Sequence, residues 1–249
     1  MNIIIFGASG LTGQQLTKQA LEKGFRVTAF VRNPDKLSIT HPNLQLFTGN
    51  VTDAKAVSTA IKDHDAVLCA LGAKTPFEND SSLTDGVNNI ISAMMQQHIG
   101  RLLYLSFLAV KEHRKELGFI THHLLPVIMK KVIEDHEDKE KIITGSTLQW
   151  TIIRAPKLTN GLAKGIYRHG EHISPKSFFF KISRADLAAF MLEELGQNRY
   201  IGQKPRVMYW TILVQAIIKR TRVEAVAYFF LELRIAFTFL TVSSSKNSW

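Results

Sequence analysis

The sequence predicts an α/β domain built on a doubly wound parallel sheet with helices on both faces. Over the first 155 residues, short apolar runs alternate with longer amphipathic stretches, the pattern of repeated strand–helix–strand units. Most of those runs are apolar along their whole length rather than at every second position, as strands covered on both faces are. A glycine-rich turn, Gly7-Ala8-Ser9-Gly10-Leu11-Thr12-Gly13, joins the first run to the first amphipathic stretch.

The expected strands are Asn2–Phe6, Arg26–Val31, Leu44–Thr48, 66–70, 101–106 and 150–154. Helix patterns fill 11–23, 53–62, 83–97 and 126–144, with Asp53 placed as an N-cap and Gly24 where the first helix stops. From 156 to 181 the pattern changes to glycines, Pro175 and three consecutive phenylalanines at 178–180, which reads as a loop-rich lid or pocket wall. A helix over 183–195 follows, capped by Ser183 with Asp186 three residues on. A short strand at 205–209 closes the sheet. The expected domain is therefore residues 1–209, with a substrate-pocket region at about 156–182.

Composition narrows the classes. At 249 residues, 45% hydrophobic and 21% charged, the chain is neither disordered nor a disulfide scaffold. Its one cysteine, Cys69, permits no internal disulfide and suits a reducing compartment. Met1-Asn2 runs straight into Ile3-Ile4-Ile5-Phe6, too short a run to span a bilayer and without a secretory leader, so a cytoplasmic location is expected. The net charge of +10 is spread along the chain, with no basic helix stripe and no zinc-finger spacing, so no nucleic-acid partner is expected. A monomer or homodimer is expected. Residues 210–249 form an apolar extension in which Glu232 and Arg234 interrupt the richest stretch. Charges at mid-bilayer argue against a membrane span there; packing on the domain, an oligomer contact or an appended segment are the other readings.

The glycine turn carries the chemistry. A tight turn, a close backbone approach to a pyrophosphate and close helix–strand packing all favour glycine. The helix that opens there offers free N–H groups and a positive dipole end to phosphates. The spacing is G-x-x-G-x-x-G rather than G-x-G-x-x-G. About 20 residues on, where an acid usually binds the ribose hydroxyls of NAD, stands Val31-Arg32-Asn33-Pro34-Asp35-Lys36. A guanidinium at Arg32, with Lys36 within reach, suits a 2′-phosphate, so NADP(H) is expected in preference to NAD(H). His169-x-x-His172 lacks a third ligand at a sensible spacing, and no metal is expected.

Taken with Gly49-Asn50-Val51-Thr52-Asp53, Ala70-Leu71-Gly72, the stretch Leu148 to Pro156 and the stretch Ile182 to Ala188, these motifs resemble the atypical short-chain dehydrogenase/reductases. The resemblance is to the NAD(P)H-binding branch that holds the NmrA-like proteins and the biliverdin-IXβ/flavin reductases. It implies a Rossmann-type domain with Gly7, Ser9, Gly10, Leu11, Thr12 and Gly13 on the pyrophosphate and Arg32 on the 2′-phosphate. It also implies Asn50 and Val51 by the adenine, Ala70, Leu71 and Gly72 on the path to the nicotinamide ribose, and Ser106 beside the nicotinamide. Pro156 and Lys157 would face the same pocket. Asn50 stands where the family more often carries aspartate, and Lys157 about where the biliverdin/flavin reductases carry histidine.

Typical members of the superfamily use a Tyr-x-x-x-Lys pair on the helix after the fifth strand. Residues 118–143 contain no tyrosine, and the literal match at Tyr200 and Lys204 falls after the Ser183 helix. His136 and Lys139 lie on the relevant helix, whose segment Asp135 to Lys141 otherwise reads as a solvated face of mixed charge. Without a tyrosine acid, hydride transfer to a small planar acceptor is favoured, of flavin, quinone or tetrapyrrole type, with Ser106, Lys157 and His136 as catalytic candidates. The alternative is an NmrA-like sensor that binds NADP(H) and reports its redox state to a protein partner.

Overall fold

The computed structural model describes residues 1–72, 81–112, 114–117, 123, 127, 129–174 and 180–209, all within the unit Met1–Trp210. The extension 210–249, His122, Pro175 and the phenylalanines at 178 and 179 lie outside the described residues.

In chain order the elements are β1 (Asn2–Phe6), α1 (Leu11–Glu22), β2 (Arg26–Val31), β3 (Leu44–Thr48), α2 (Ala54–Ile61) and β4 (Ala66–Cys69). There follow α3 (Ser81–Gln96), β5 (Arg101–Phe107), α4 (Lys130–Thr144), β6 (Gln149–Ala155), β7 (Lys157–Thr159) and β8 (Arg168–Gly170), then β9 (Lys181–Ser183), α5 (Arg184–Gln197) and β10 (Arg206–Met208). A main sheet runs β3-β2-β1-β4-β5-β6-β10-β8, while β7 and β9 pair separately. Every pairing in the main sheet is parallel except that of β10 with β8.

Side chains sort by strand alternation onto two faces. Ile3 and Ile5 of β1 join Leu16 and Ala20 of α1 and Leu187, Phe190 and Met191 of α5 in one core. Ile4 and Phe6 join Val57 and Ile61 of α2, Ile90 and Met94 of α3, and Ile143 of α4 in the other. Whole-run apolarity is thus explained for β1, β2, β4, β5 and β6, which bury both of their faces, whereas the edge strand β3 stays partly exposed.

The helix ends follow their capping residues. Asp53 accepts from the Lys55 and Ala56 N–H groups at 3.0 Å each, and Ser183 accepts from Asp186 N at 3.0 Å. Gly24, at φ +81°, ends α1 with its N–H on Leu21 O at 2.9 Å and that of Phe25 on Ala20 O at 3.0 Å. At the amino edge of the sheet, Arg101 pairs with the fully buried Glu194 at 3.1 Å. The same carboxylate accepts from Tyr200 N at 2.9 Å.

The loop-rich stretch 156–181 also contains β7, β8 and the start of β9. Strands of three residues are too short to show a period, and only their partners reveal them. The helix expected from 126 begins at Lys130, with Met129 at its N-cap.

Candidate functional site

β2 and β3 lie on one side of β1, while β4 and the strands after it lie on the other. The chain reverses its winding direction at β1 and β4, and the crevice beyond the carboxyl ends of those two strands is where open α/β sheets bind ligands. Gly7 enters it at φ +79°, and a Cβ there would lie 2.6 Å from the Ala70 carbonyl oxygen. The Ala70 N–H in turn bonds Phe6 O at 2.9 Å. The glycine turn and the Ala70-Leu71 segment are therefore brought together, with Leu71 half-buried and Gly72 exposed at the rim.

The three glycines of the turn have different physical reasons. At Gly13 a Cβ would sit 2.0 Å from Gly7 O, so close strand–helix packing requires glycine. Gly10 has ordinary extended angles, φ −74° and ψ 159°, and caps α1 without a side-chain bond. A Cβ there would meet only Gly7 O, at 3.2 Å, with nothing else within 4 Å. Gly10 leaves open space in front of a helix whose first turn carries no acidic residue. A pyrophosphate fits that cradle. Thr12 and Gly13 are buried, Ser9 is half-buried, and Leu11 stands 56% exposed at the helix mouth.

Arg32 is exposed immediately beyond β2. A single 3₁₀ turn, Pro34–Lys36, follows it, capped by Asn33 Oδ1 accepting from Asp35 N at 2.9 Å. Lys36 is likewise exposed. Val51, beyond β3, is buried against α3, where the Asn89 carboxamide donates to Val51 O at 2.9 Å. Asn50 is exposed and accepts from Thr52 N at 3.3 Å.

At the carboxyl end of β5 the structure joins Ser106 to α4. Ser106 is 3% exposed, and its hydroxyl donates to Glu140 Oε1 at 2.6 Å. His136 Nδ1 lies 3.4 Å from the Ser106 Oγ. Arg154, beside Ser106 in the β5–β6 register, donates to Glu140 Oε1 at 3.2 Å and to Oε2 at 2.6 Å. Burial, with help from the Lys139 ammonium, pushes the His136 imidazole down to about 3, so the ring is neutral at physiological pH. Burial pushes the Cys69 thiol up to about 11. Burial opposes ionisation of Glu112, yet hydrogen bonds from Lys204 and Arg154 hold its carboxyl down at about 2.

The segment Asp135 to Lys141 is not simply a solvated face. Lys139 and Glu140 are buried, Lys139 paired with Asp135 one turn back and Glu140 held by Ser106 and Arg154. The sequence signal for this was Arg154 itself: a charge inside an apolar strand needs a buried partner. Pro156 is buried and Lys157 exposed at the start of β7. Among the described residues no hydrogen bond or ion pair joins Lys157 to Ser106 or His136. Tyr200 and Lys204 are engaged elsewhere, the tyrosine hydroxyl 2.7 Å from His169 Nδ1 and the lysine on Glu112 at 2.6 Å. Gln14 and Asn89, which hold the loops of the crevice, carried no motif. Among the described residues no three His, Cys, Asp or Glu side chains group as a metal site.

A glycine turn at the winding reversal of a doubly wound parallel sheet defines a nucleotide-binding Rossmann domain. The chain belongs to the NAD(P)H-binding family, whose model matches residues 7–198, a family with oxidoreductase members. It is 28% identical over 171 residues to a chloroplastic protein of Arabidopsis thaliana, covering 64% of this chain and 59% of that one. It is 25% identical over 169 residues to the photosystem II assembly factor Ycf39 of Synechocystis, covering 65% and 46%. The chain thus spans about half the length of these curated relatives. The anaerobilin reductase ChuY of Escherichia coli O157:H7 has the same fold, with a TM-score of 0.69 at 20% identity over 83% of this chain and 96% of that one. No helix among the described residues is long and apolar enough to cross a membrane.

Proposed function

We propose that the protein is an NADPH-dependent oxidoreductase acting on a small planar acceptor of flavin, quinone or tetrapyrrole type. The observation that carries the cofactor choice is Arg32, exposed at the first position beyond β2, where NAD-binding domains carry an acid. The Gly7–Gly13 turn and the amino end of α1 would hold the pyrophosphate, Arg32 and Lys36 the 2′-phosphate, and Asn50 and Val51 the adenine. Ala70, Leu71 and Gly72 would line the way to the nicotinamide ribose, and Ser106 and Pro156 would flank the ring. A bound nicotinamide supplies the hydride.

The chain's own part is orientation and exclusion of water. The Ser106 hydroxyl proton is engaged in its hydrogen bond to Glu140, and His136 is neutral, so neither is a ready acid. That arrangement suits an electron-poor conjugated acceptor, which takes hydride and then draws a proton from solvent. Lys157 and the 156–182 region would form the acceptor side of a domain spanning 1–209. A single thiol at Cys69 suits work in a reducing compartment such as the cytoplasm. The name of ChuY, a tetrapyrrole-type reductase with this fold, points to the same acceptor class.

The lack of a placed acid among the described residues also favours a second reading, a sensor that binds NADP(H) without turnover. One experiment separates them: nicotinamide absorbance is followed with NADPH and with NADH, before and after adding FMN and a quinone. Acceptor-dependent oxidation, faster with NADPH, supports the reductase. Tight binding without oxidation supports the sensor, and no binding of either nucleotide removes both.

A further inference from the structure

Between the two phosphate-facing segments of the crevice lies a side chain that touches both. The Gln14 carboxamide Nε2 donates to Ser9 O at 3.0 Å and to Lys36 O at 3.3 Å. A primary amide nitrogen has two protons, and both are used here. Ser9 belongs to the glycine turn; Lys36 ends the 3₁₀ turn that follows Arg32 and Asn33. Gln14 itself is anchored in the first turn of α1, its N–H on Gly10 O at 2.8 Å.

We propose that Gln14 is a specificity-determining positioning residue, stapling the Arg32–Lys36 segment to the pyrophosphate turn and so setting the spacing that distinguishes NADPH from NADH. The inference rests on the cofactor reading above. The segment is held at one end by buried Val31 of β2 and at the other by buried Leu37 in the core. Between those anchors Arg32, Asn33, Asp35 and Lys36 are exposed, and the Gln14 bond ties their backbone to the turn. Both nucleotides need the pyrophosphate turn, whereas only NADPH needs two cations held at a fixed distance from it. Releasing the staple makes the cations order themselves on binding, a cost that falls on NADPH alone.

The test is direct binding, read by nucleotide fluorescence titration on the full chain. Gln14→Met keeps length and apolar volume but removes both donors, and Gln14→Ala serves as a second variant should Gln14→Met fold poorly. The NADPH:NADH affinity ratio should fall about tenfold, roughly 1.4 kcal/mol, with NADH affinity changed less than about threefold. Loss of both nucleotides in equal measure, or an unchanged ratio, overturns the staple. Arg32→Ala is measured alongside. A parent that shows no NADPH preference, or an Arg32→Ala protein with the parental ratio, overturns the cofactor reading itself. Collapse of the ratio in Arg32→Ala but not in either Gln14 variant overturns the staple alone.

Discussion

The Ser106 hydroxyl donates its one hydrogen bond to Glu140 Oε1 at 2.6 Å, across the interface between β5 and α4. The same carboxylate also accepts two bonds from the Arg154 guanidinium. Ser106 is left with lone pairs only, and faces any neighbour as an acceptor. A general acid contributes about 10²–10⁴ in rate where one operates. Ser106→Ala should therefore lower kcat with FMN less than about fivefold, with the larger effect on the KM for NADPH. A loss of kcat of about 100-fold or more in steady-state assays would make Ser106 the acid after all.

His136 predicts a pH dependence of stability. Its folded value, about 3, lies below the ordinary 6.5, so the unfolded chain binds the proton more readily. Stability is then complete above pH 6.5 and falls as the pH drops toward 3. Thermal unfolding of the parent should show Tm declining between pH 7 and 5.5, above the range where Glu112 of the unfolded chain, ordinarily at 4.5, takes up protons. His136→Gln should flatten that decline. An equally steep decline in the variant would place the acid sensitivity elsewhere.

Gly10 and Gly13 should respond oppositely. Gly13→Ala places a methyl 2.0 Å from Gly7 O, a backbone atom that cannot step aside, and should cost at least about 1–3 kcal/mol of stability. Gly10→Val meets only Gly7 O at 3.2 Å, with ordinary backbone angles. It should fold with a Tm near the parent's and lose NADPH binding. A folded Gly10→Val protein with parental affinity would move the pyrophosphate away from this turn.

Arg32→Asp replaces a cation at the end of β2 with the acid that NAD binders carry there. NADPH affinity should weaken 10- to 100-fold, roughly 1.4–2.8 kcal/mol, while NADH affinity holds or improves. Unchanged NADPH affinity in a binding titration would show that Arg32 does not meet the 2′-phosphate.

Much of the fold was legible because strands buried on both faces must be apolar throughout, and helices between them must be apolar on one side. β1 and β2 therefore appear in the structure with their expected bounds, as does the partly exposed edge strand β3, and Asp53, Gly24 and Ser183 mark helix ends through local hydrogen bonds and a positive φ. The glycine turn was legible for the same reason: its demands are met within seven consecutive residues. The brief strands β7, β8 and β9 were not legible, since three residues carry no period and their identity lies in a distant partner.

Composition, periodicity and local turn chemistry thus determined the parallel α/β domain, the glycine turn at its first strand and the cation that follows its second. Only tertiary structure decided that Gln14 bridges two loops, that Glu140 is buried beneath Ser106 rather than solvated, and that Arg154 is its partner. Those contacts join residues 22, 34 and 14 positions apart. No local pattern encodes them, because each arises from the way helices dock on a sheet whose strand order the chain visits out of sequence.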